Sequence, residues 1–154
     1  MKISLTSIKP PHTENIFSGK KRIEWRKFPL PIGIHHVYET KANNGAGMVI
    51  GSMEIARHYS FNSVDEIPDY LIEQGCVPRS FLKSYAGKKK LFANIICNAK
   101  RFEKPKLLCD YNSYSKLQNC NKCGMYDTPH YPCFSCQKCS IVVNPPQSFM
   151  YVDI

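Results

Sequence analysis

Apolar and polar residues alternate along the opening segment, Lys2–Lys9, with Ile3, Leu5 and, after a one-residue slip, Ile8 as its apolar positions. A period of two predicts a strand with one face buried. Pro10-Pro11 ends it, and His12–Ser18 then predicts two helical turns with Ile16 and Phe17 facing inward and Gly19 at the C-cap position. Lys20–Phe28 alternates again around Ile23 and Trp25 and breaks at Pro29–Gly33. Ile34–Thr40 and Met48–Ala56 flank Asn43-Asn44-Gly45-Ala46-Gly47, which is turn chemistry, so the pair predicts a hairpin. Ser63-Val64-Asp65-Glu66 is a capping-box pattern that starts a helix near Val64. Pro68 makes its first turn irregular, and Gly75 ends it. Pro78 opens a second short helix with Phe81, Leu82 and Tyr85 on its apolar face and Gly87 at its end. Leu91–Phe102 predicts a central strand stopped by Lys104-Pro105-Lys106, and Ser148–Ile154 predicts a closing strand.

Many strands with few helices predict an α+β class, as a small, mostly antiparallel β-barrel with short flanking helices. The 154 residues suit one domain over 1–154, and a chain this long buries roughly two-thirds of its surface on folding. A 43% hydrophobic content argues against disorder. No apolar run approaches the ~20 residues that cross a bilayer. The start, Met-Lys-Ile-Ser-Leu-Thr, lacks the apolar core of a signal peptide. The expectation is a soluble, cytoplasmic protein without a membrane partner. His35 and His36, adjacent in a strand, predict one ring toward solvent and one toward the core.

The net charge of +9 is unevenly spread: residues 1–50 carry +5, 51–76 carry −4, 77–106 carry +8, and 107–154 balance. Two basic segments around an acidic one predict a sided molecule, for which nucleic acid is the natural polyanionic partner. Solubility alone is the plainer reason for such charge.

The run Ser7–Arg26 contains Gly19, Lys21, Glu24 and Arg26 in the spacing Gly-x-Lys-x-x-Glu-x-Arg, after a short predicted helix. Val49-Ile50-Gly51-Ser52-Met53-Glu54-Ile55 and Pro145-Pro146-Gln147-Ser148-Phe149-Met150-Tyr151-Val152 are two further signature stretches. Together they resemble the ASCH domain of the PUA-like superfamily of small β-barrels, over residues 1–105 and 144–154. The resemblance implies a PUA-like barrel that binds RNA or a nucleotide. It also implies two enzymatic alternatives, amidohydrolases that deacetylate N-acetylcytidine and ribonucleases. The amidohydrolase pattern resembles Gly-x-Lys-x-x-Thr-x-Arg, with lysine, threonine and a further glutamate catalytic. Lys21 matches that lysine, Glu24 stands where the threonine would be, and Glu73 lies about where the further glutamate belongs. A carboxylate does not replace a hydroxyl nucleophile without a change of mechanism.

The same residues can be read without the family. Alternate residues of a strand share a face, so Glu24 and Arg26 point one way and Trp25 the other. Lys21 joins them only if the turn after Gly19 or a bulge re-aims it. Converged, the three suit a nucleotide: arginine offers a planar fork of donors, and a carboxylate accepts from an exocyclic amine. The plainer reading is a weak surface ion pair. In an enzyme, Lys21 would be the base or nucleophile and Glu24 the acceptor that positions an amine or water. Lys9 and the run Lys88-Lys89-Lys90 extend the predicted nucleic-acid surface toward phosphates, unless the lysine run is a solvated loop.

Eight cysteines occur, five of them within 120–139. Cys120-x-x-Cys123-Gly124 and Cys133-x-x-Cys136-x-x-Cys139-Ser140 carry the Cys-x-x-Cys spacing that lets both sulfurs of a pair reach one ion. Cys120, Cys123, Cys136 and Cys139 are the predicted ligands of one zinc. Cys133 is an alternative ligand, and Cys109 or His130 are remoter ones. An iron–sulfur cluster and a redox switch are the rival chemistries. Four thiolates leave no open coordination position, so the zinc is read as structural. Residues 109–140, poor in aliphatic side chains, are therefore predicted as a zinc-binding insertion that folds around its metal. That insertion also offers a docking surface, and a protein-interaction module is a third functional reading. Tyr111, Tyr114, Tyr126, Tyr131 and Phe134 are expected to pack around the zinc loops or to stack on bases. Cys76 and Cys97 are expected as small core residues. Elemental analysis of the purified protein should find about one zinc per chain, and Cys120→Ser should destabilise the insertion where Cys97→Ser does not. Metal-free protein, or iron accompanied by sulfide, would overturn the zinc assignment.

Overall fold

The computed structural model of the protein describes residues 3–113, 146–147 and 149–153. Seven strands form one sheet: β1 (Ile3–Ile8), β2 (Ile23–Arg26), β3 (Gly33–Glu39), β4 (Met48–Phe61), β5 (Leu91–Lys106), β6 (Asn112–Ser113) and β7 (Phe149–Asp153). Their order across the sheet is β2-β5-β4-β3-β1-β7-β6. Among the described residues every pairing is antiparallel except that of β1 with β3. Helices α1 (His12–Phe17), α2 (Asp69–Gly75) and α3 (Arg79–Ala86) flank it. The class is α+β, as predicted, but among the described residues the sheet stays open where a closed barrel was expected. Its two outermost strands, β2 and β6, have four and two residues and offer little ladder to pair with one another.

The predicted β3–β4 hairpin is present. β4 and β5 run further than their sequence signals, to Phe61 and Lys106. Register shifts at Val49/Gly51, Glu54/Ile55 and Ile55/Arg57 bend this long pair. Pro105 is tolerated inside β5 because, among the described residues, no strand pairs with the far edge of β5 beyond Ile95. The capping-box segment divides at Pro68. Ser63 Oγ accepts from Asp65 N–H at 3.2 Å and caps a single 3-10 turn, Val64–Glu66, after which Pro68 precedes α2.

All six residues of β1 are buried, not the alternate ones. The strand lies mid-sheet between β3 and β7, and both of its faces are covered. The same cause buries both His35 and His36, so neither ring faces solvent. His35 is bonded to Thr6 Oγ1 at 2.7 Å and to Pro31 O at 2.7 Å, and His36 Nδ1 lies 2.8 Å from Tyr111 Oη. Tyr111 is fully buried with Ile3, Leu5, Tyr38, Val49 and Val152, so it packs into the sheet core. Cys97 is exposed, contrary to its predicted core position. It follows the register shift beside Ile55 and Ile96, which changes which side chains of β5 are covered. Cys76 is half-buried in the left-handed conformation that ends α2.

A core between α2, α3 and the β2–β5 pair contains Ile23, Trp25, Leu71, Leu82, Leu91 and Ala93. Under α1, Ile16 packs with Ile8, Val37, Met53, Ile55 and Ile96. A Cβ on Gly51 of β4 would lie 2.6 Å from the Phe17 ring and 2.5 Å from Lys100 O, so glycine lets α1 settle on the sheet. Burial, followed by the charge of Lys106, lowers the His36 pKa from 6.5 to about 4. The unfolded chain therefore binds the proton more readily, and the stability gained from neutral His36 is complete above about pH 6.5. It is lost as pH falls toward about 4, by at most about 3 kcal/mol. His35 shifts in the same direction, chiefly through burial. Denaturant titrations between these pH values should show stability falling on acidification, and His36→Gln should flatten the profile. An unchanged profile in the variant would contradict this account.

Candidate functional site

Three charged side chains meet at β2, placed there in two different ways. Glu24 and Arg26 share a face, as alternation predicts. Arg26 Nε donates to Glu24 Oε1 at 2.9 Å, and Arg26 Nη2 donates to Ser7 O of β1 at 2.8 Å. Lys21 precedes the strand and is free of its parity. Gly19 takes a positive φ of 77°, Lys21 N–H donates to Asn15 O at 2.7 Å, and Arg22 N–H donates to Gln74 O at 2.8 Å. This path brings Lys21 Nζ to Gly75 O at 2.6 Å and to within 3.6 Å of Glu24 Oε2. The side chains of Lys21, Glu24 and Arg26 are 2%, 9% and 13% exposed, so they form a buried network and not a surface ion pair. Asn94 of β5 locks the strand beneath it, donating from Nδ2 to Glu24 O at 3.0 Å and accepting from Leu30 N–H at 2.8 Å.

Burial, the largest single influence, pushes the Glu24 pKa up. The charges of Arg26, Lys21 and His12, with the Arg26 hydrogen bond, more than offset it and hold the carboxyl below its usual value. His12, at the start of α1, is held below its usual value by burial and then by the Lys21 charge. Near neutral pH the network thus combines an ionised carboxylate with a neutral imidazole.

These residues floor a cleft of about 470 Å³. Ser7, Lys9, His12 and Thr40 line it from the side of β1 and α1, and Val77, Phe81, Leu82 and Tyr85 form an apolar wall from the side of α3. Ile8, Trp25, Pro146 and Gln147 complete the lining. The rings of Phe81 and Tyr85 stack, with centroids 6.1 Å apart and planes 6° apart. Burial, ahead of the surrounding charges, raises the Tyr85 pKa. Among the described residues, Ser7 Oγ, His12 Nδ1, Trp25 Nε1 and Thr40 Oγ1 are buried polar atoms without a hydrogen-bond partner, and all four residues line this cleft.

Of the residues predicted for nucleic-acid contact, Lys9, Lys21, Glu24 and Arg26 come together here. Lys88, Lys89 and Lys90 are exposed between α3 and β5, outside the lining of this cleft. Lys89 borders a smaller groove with Asp65 and Lys83. Glu73 is exposed on α2 and is not part of the lining. Cys120, Cys123, Cys133, Cys136, Cys139 and His130 lie outside the described residues. Cys109 is free and exposed in the turn Leu108–Asp110. Among the described residues no group of three or more His, Cys, Asp or Glu side chains is placed to hold a metal.

Sequence reasoning missed His12, which it read only as a helix start, along with Ser7 and Thr40. Ser7 and Thr40 share a face because β1 runs parallel to β3, a pairing with no local signature. Phe81 and Tyr85, four apart on a short helix, did signal a shared face.

No protein-family profile matches the chain, and no curated protein matches it in sequence. Solved structures do resemble it. The crystal structure of ASCH from Zymomonas mobilis superimposes at a TM-score of 0.65 with 19% identity, over 98% of this chain and 87% of that one. A tyrosine-to-phenylalanine mutant of the same protein gives 0.66 at 18% identity, over 99% and 91%. A serine-to-alanine mutant gives 0.65 at 19%, over 98% and 88%. The fold is that of ASCH proteins. At this identity the likeness concerns the fold alone. Among the described residues of this ASCH fold, no helix is long and apolar enough to cross a membrane.

Removing the carboxylate would leave Lys21 and Arg26 buried without their counter-charge. Glu24→Gln is expected to cost about 3–5 kcal/mol, the usual penalty for breaking a buried pair, as measured by urea unfolding. A loss below about 1 kcal/mol would be the behaviour of an exposed pair and would count against a buried network.

Proposed function

We propose that the protein binds RNA or a nucleotide in the cleft floored by Lys21, Glu24 and Arg26. The observation that carries this reading is an ionised carboxylate and two cations, nearly sealed from water, at the bottom of an open cleft with a stacked aromatic wall. A base can stack on aromatic side chains while its edge meets polar ones, and a carboxylate accepts from an exocyclic amine. The cleft volume falls within the roughly 300–1,000 Å³ of small-molecule sites. Lys9 at the lining and the exposed Lys88, Lys89 and Lys90 beyond it suit phosphates. The ASCH fold agrees with this reading.

Catalysis receives less support. A lysine base or nucleophile needs a free lone pair, whereas Lys21 Nζ donates to Gly75 O and faces Glu24. No threonine stands at position 24, and Glu73 is outside the cleft. The cysteine spacing supports one structural zinc on Cys120, Cys123, Cys136 and Cys139 within the 109–140 insertion, which would leave a surface for a protein partner. Reduced thiolates and an RNA ligand both suit the cytoplasm.

Binding to short single-stranded RNAs should weaken linearly in a log–log salt titration, because phosphate contacts release counterions. Replacing Lys88, Lys89 and Lys90 together by alanine should reduce that slope by roughly 2, at about 0.7 per phosphate contact. Arg26→Ala should lower affinity more than Lys41→Ala, since Lys41 is exposed and lies outside the cleft lining. Failure to bind any RNA or nucleotide, or binding indifferent to salt, would reject the proposal.

A further inference from the structure

Buried polar atoms nearly always find a partner. Four that do not, among the described residues, belong to residues lining one cleft. Trp25 Nε1 is packed against Gly75, where a Cβ would lie only 2.0 Å away, so that atom is covered by the protein itself. Ser7 Oγ, His12 Nδ1 and Thr40 Oγ1 are buried too, and they belong to residues on the cleft wall. Ser7 is registered opposite Tyr38, and Thr40 lies two residues beyond Tyr38, so the two hydroxyls stand on one face. His12 opens α1, its backbone N–H tied to Lys9 O at 3.0 Å.

The floor adds a fourth group. Arg26 is turned inward onto Glu24 Oε1 and Ser7 O, and Lys21 onto Gly75 O. Glu24 Oε2 receives no hydrogen bond among the described residues, the Lys21 ammonium standing off at 3.6 Å. The charged groups around His12 are Lys9 from the end of β1, Lys21 before β2, and Glu24 and Arg26 on β2; α3 contributes the Tyr85 phenol to the same cleft. Burial and the cations keep the imidazole neutral, so one ring nitrogen offers a lone pair.

We propose that His12 selects the ligand of this cleft: His12 Nδ1 and Glu24 Oε2 are two acceptors that together hold the two hydrogens of an exocyclic amine, while Ser7 Oγ and Thr40 Oγ1 meet the neighbouring base edge. The inference rests on the reading of the cleft as a nucleotide site and narrows it to amino-bearing bases. An amine offers two donors to two acceptors. A carbonyl oxygen at the same position would face a carboxylate and a lone pair, and the site would reject it. Cytosine is thus separated from uracil, and adenine from hypoxanthine.

Calorimetric titration of the full chain with cytidine, uridine, adenosine and inosine, and with short oligocytidylates and oligouridylates, tests the inference. At about pH 7.5 the amino-bearing member of each pair should bind at least about tenfold more tightly, the worth of one well-made hydrogen bond. The preference should fall away on acidification below the ordinary imidazole range, where His12 takes up a proton while Glu24, held below its usual value by its cations, stays ionised. His12→Ala should lose the preference, and His12→Asn, whose amide oxygen accepts but does not titrate, should keep it without the acid sensitivity. The His12 side chain makes no hydrogen bond among the described residues, so both variants should unfold thermally like the wild type. Equal binding of amino and keto bases by the wild type, or a folded His12→Ala that discriminates like the wild type, overturns the role of His12 and leaves the nucleotide site standing. No binding to any nucleoside or oligonucleotide overturns both.

Discussion

The structure around the cleft is organised by one carboxylate. Buried alone, Glu24 would cost several kcal/mol of lost hydration. Two cations meet that cost, and each brings a piece of backbone with it. Arg26 binds Ser7 O and so joins β2 to the end of β1, and Lys21 binds Gly75 O and so fixes the end of α2. Asn94 binds Glu24 O and ties the same strand to β5. The cleft therefore has a floor whose carboxylate already faces two cations and whose geometry is set by these contacts.

Elsewhere the interior satisfies its polar groups. Thr6 meets His35, Tyr111 meets His36, and Thr13 Oγ1 donates to Glu39 Oε1 at 2.6 Å while Ala46 N–H donates to Glu39 Oε2 at 2.8 Å. Among the described residues, the buried polar atoms without a partner belong to four residues that line the cleft.

Much of this was legible in the sequence, because local chemistry dictates it. Alternation marked the strands, turn residues marked the β3–β4 hairpin, and Pro68 announced the break before α2. The Gly19–Lys21–Glu24–Arg26 spacing pointed to the floor of the cleft. What escaped depends on which strands become neighbours. The parallel pairing of β1 with β3 buries both faces of each strand, so alternation gave the wrong exposure for Ser4, Thr6, Ser7 and one of the two histidines. A register shift in the β4–β5 ladder exposes Cys97 despite its apolar surroundings in sequence. Lys88, Lys89 and Lys90 were expected on the same nucleic-acid surface, but they lie outside the lining of the cleft.

Trp25 is the only tryptophan in the chain. Its indole packs against the backbone of Gly75, edges the Phe61 ring at 6.3 Å and borders the cleft. One intrinsic fluorophore therefore looks in two directions at once, toward the seating of α2 and toward the cleft. The protein carries its own optical probe at the junction between the seating of a helix and the proposed binding cleft, and no label need be attached to follow either.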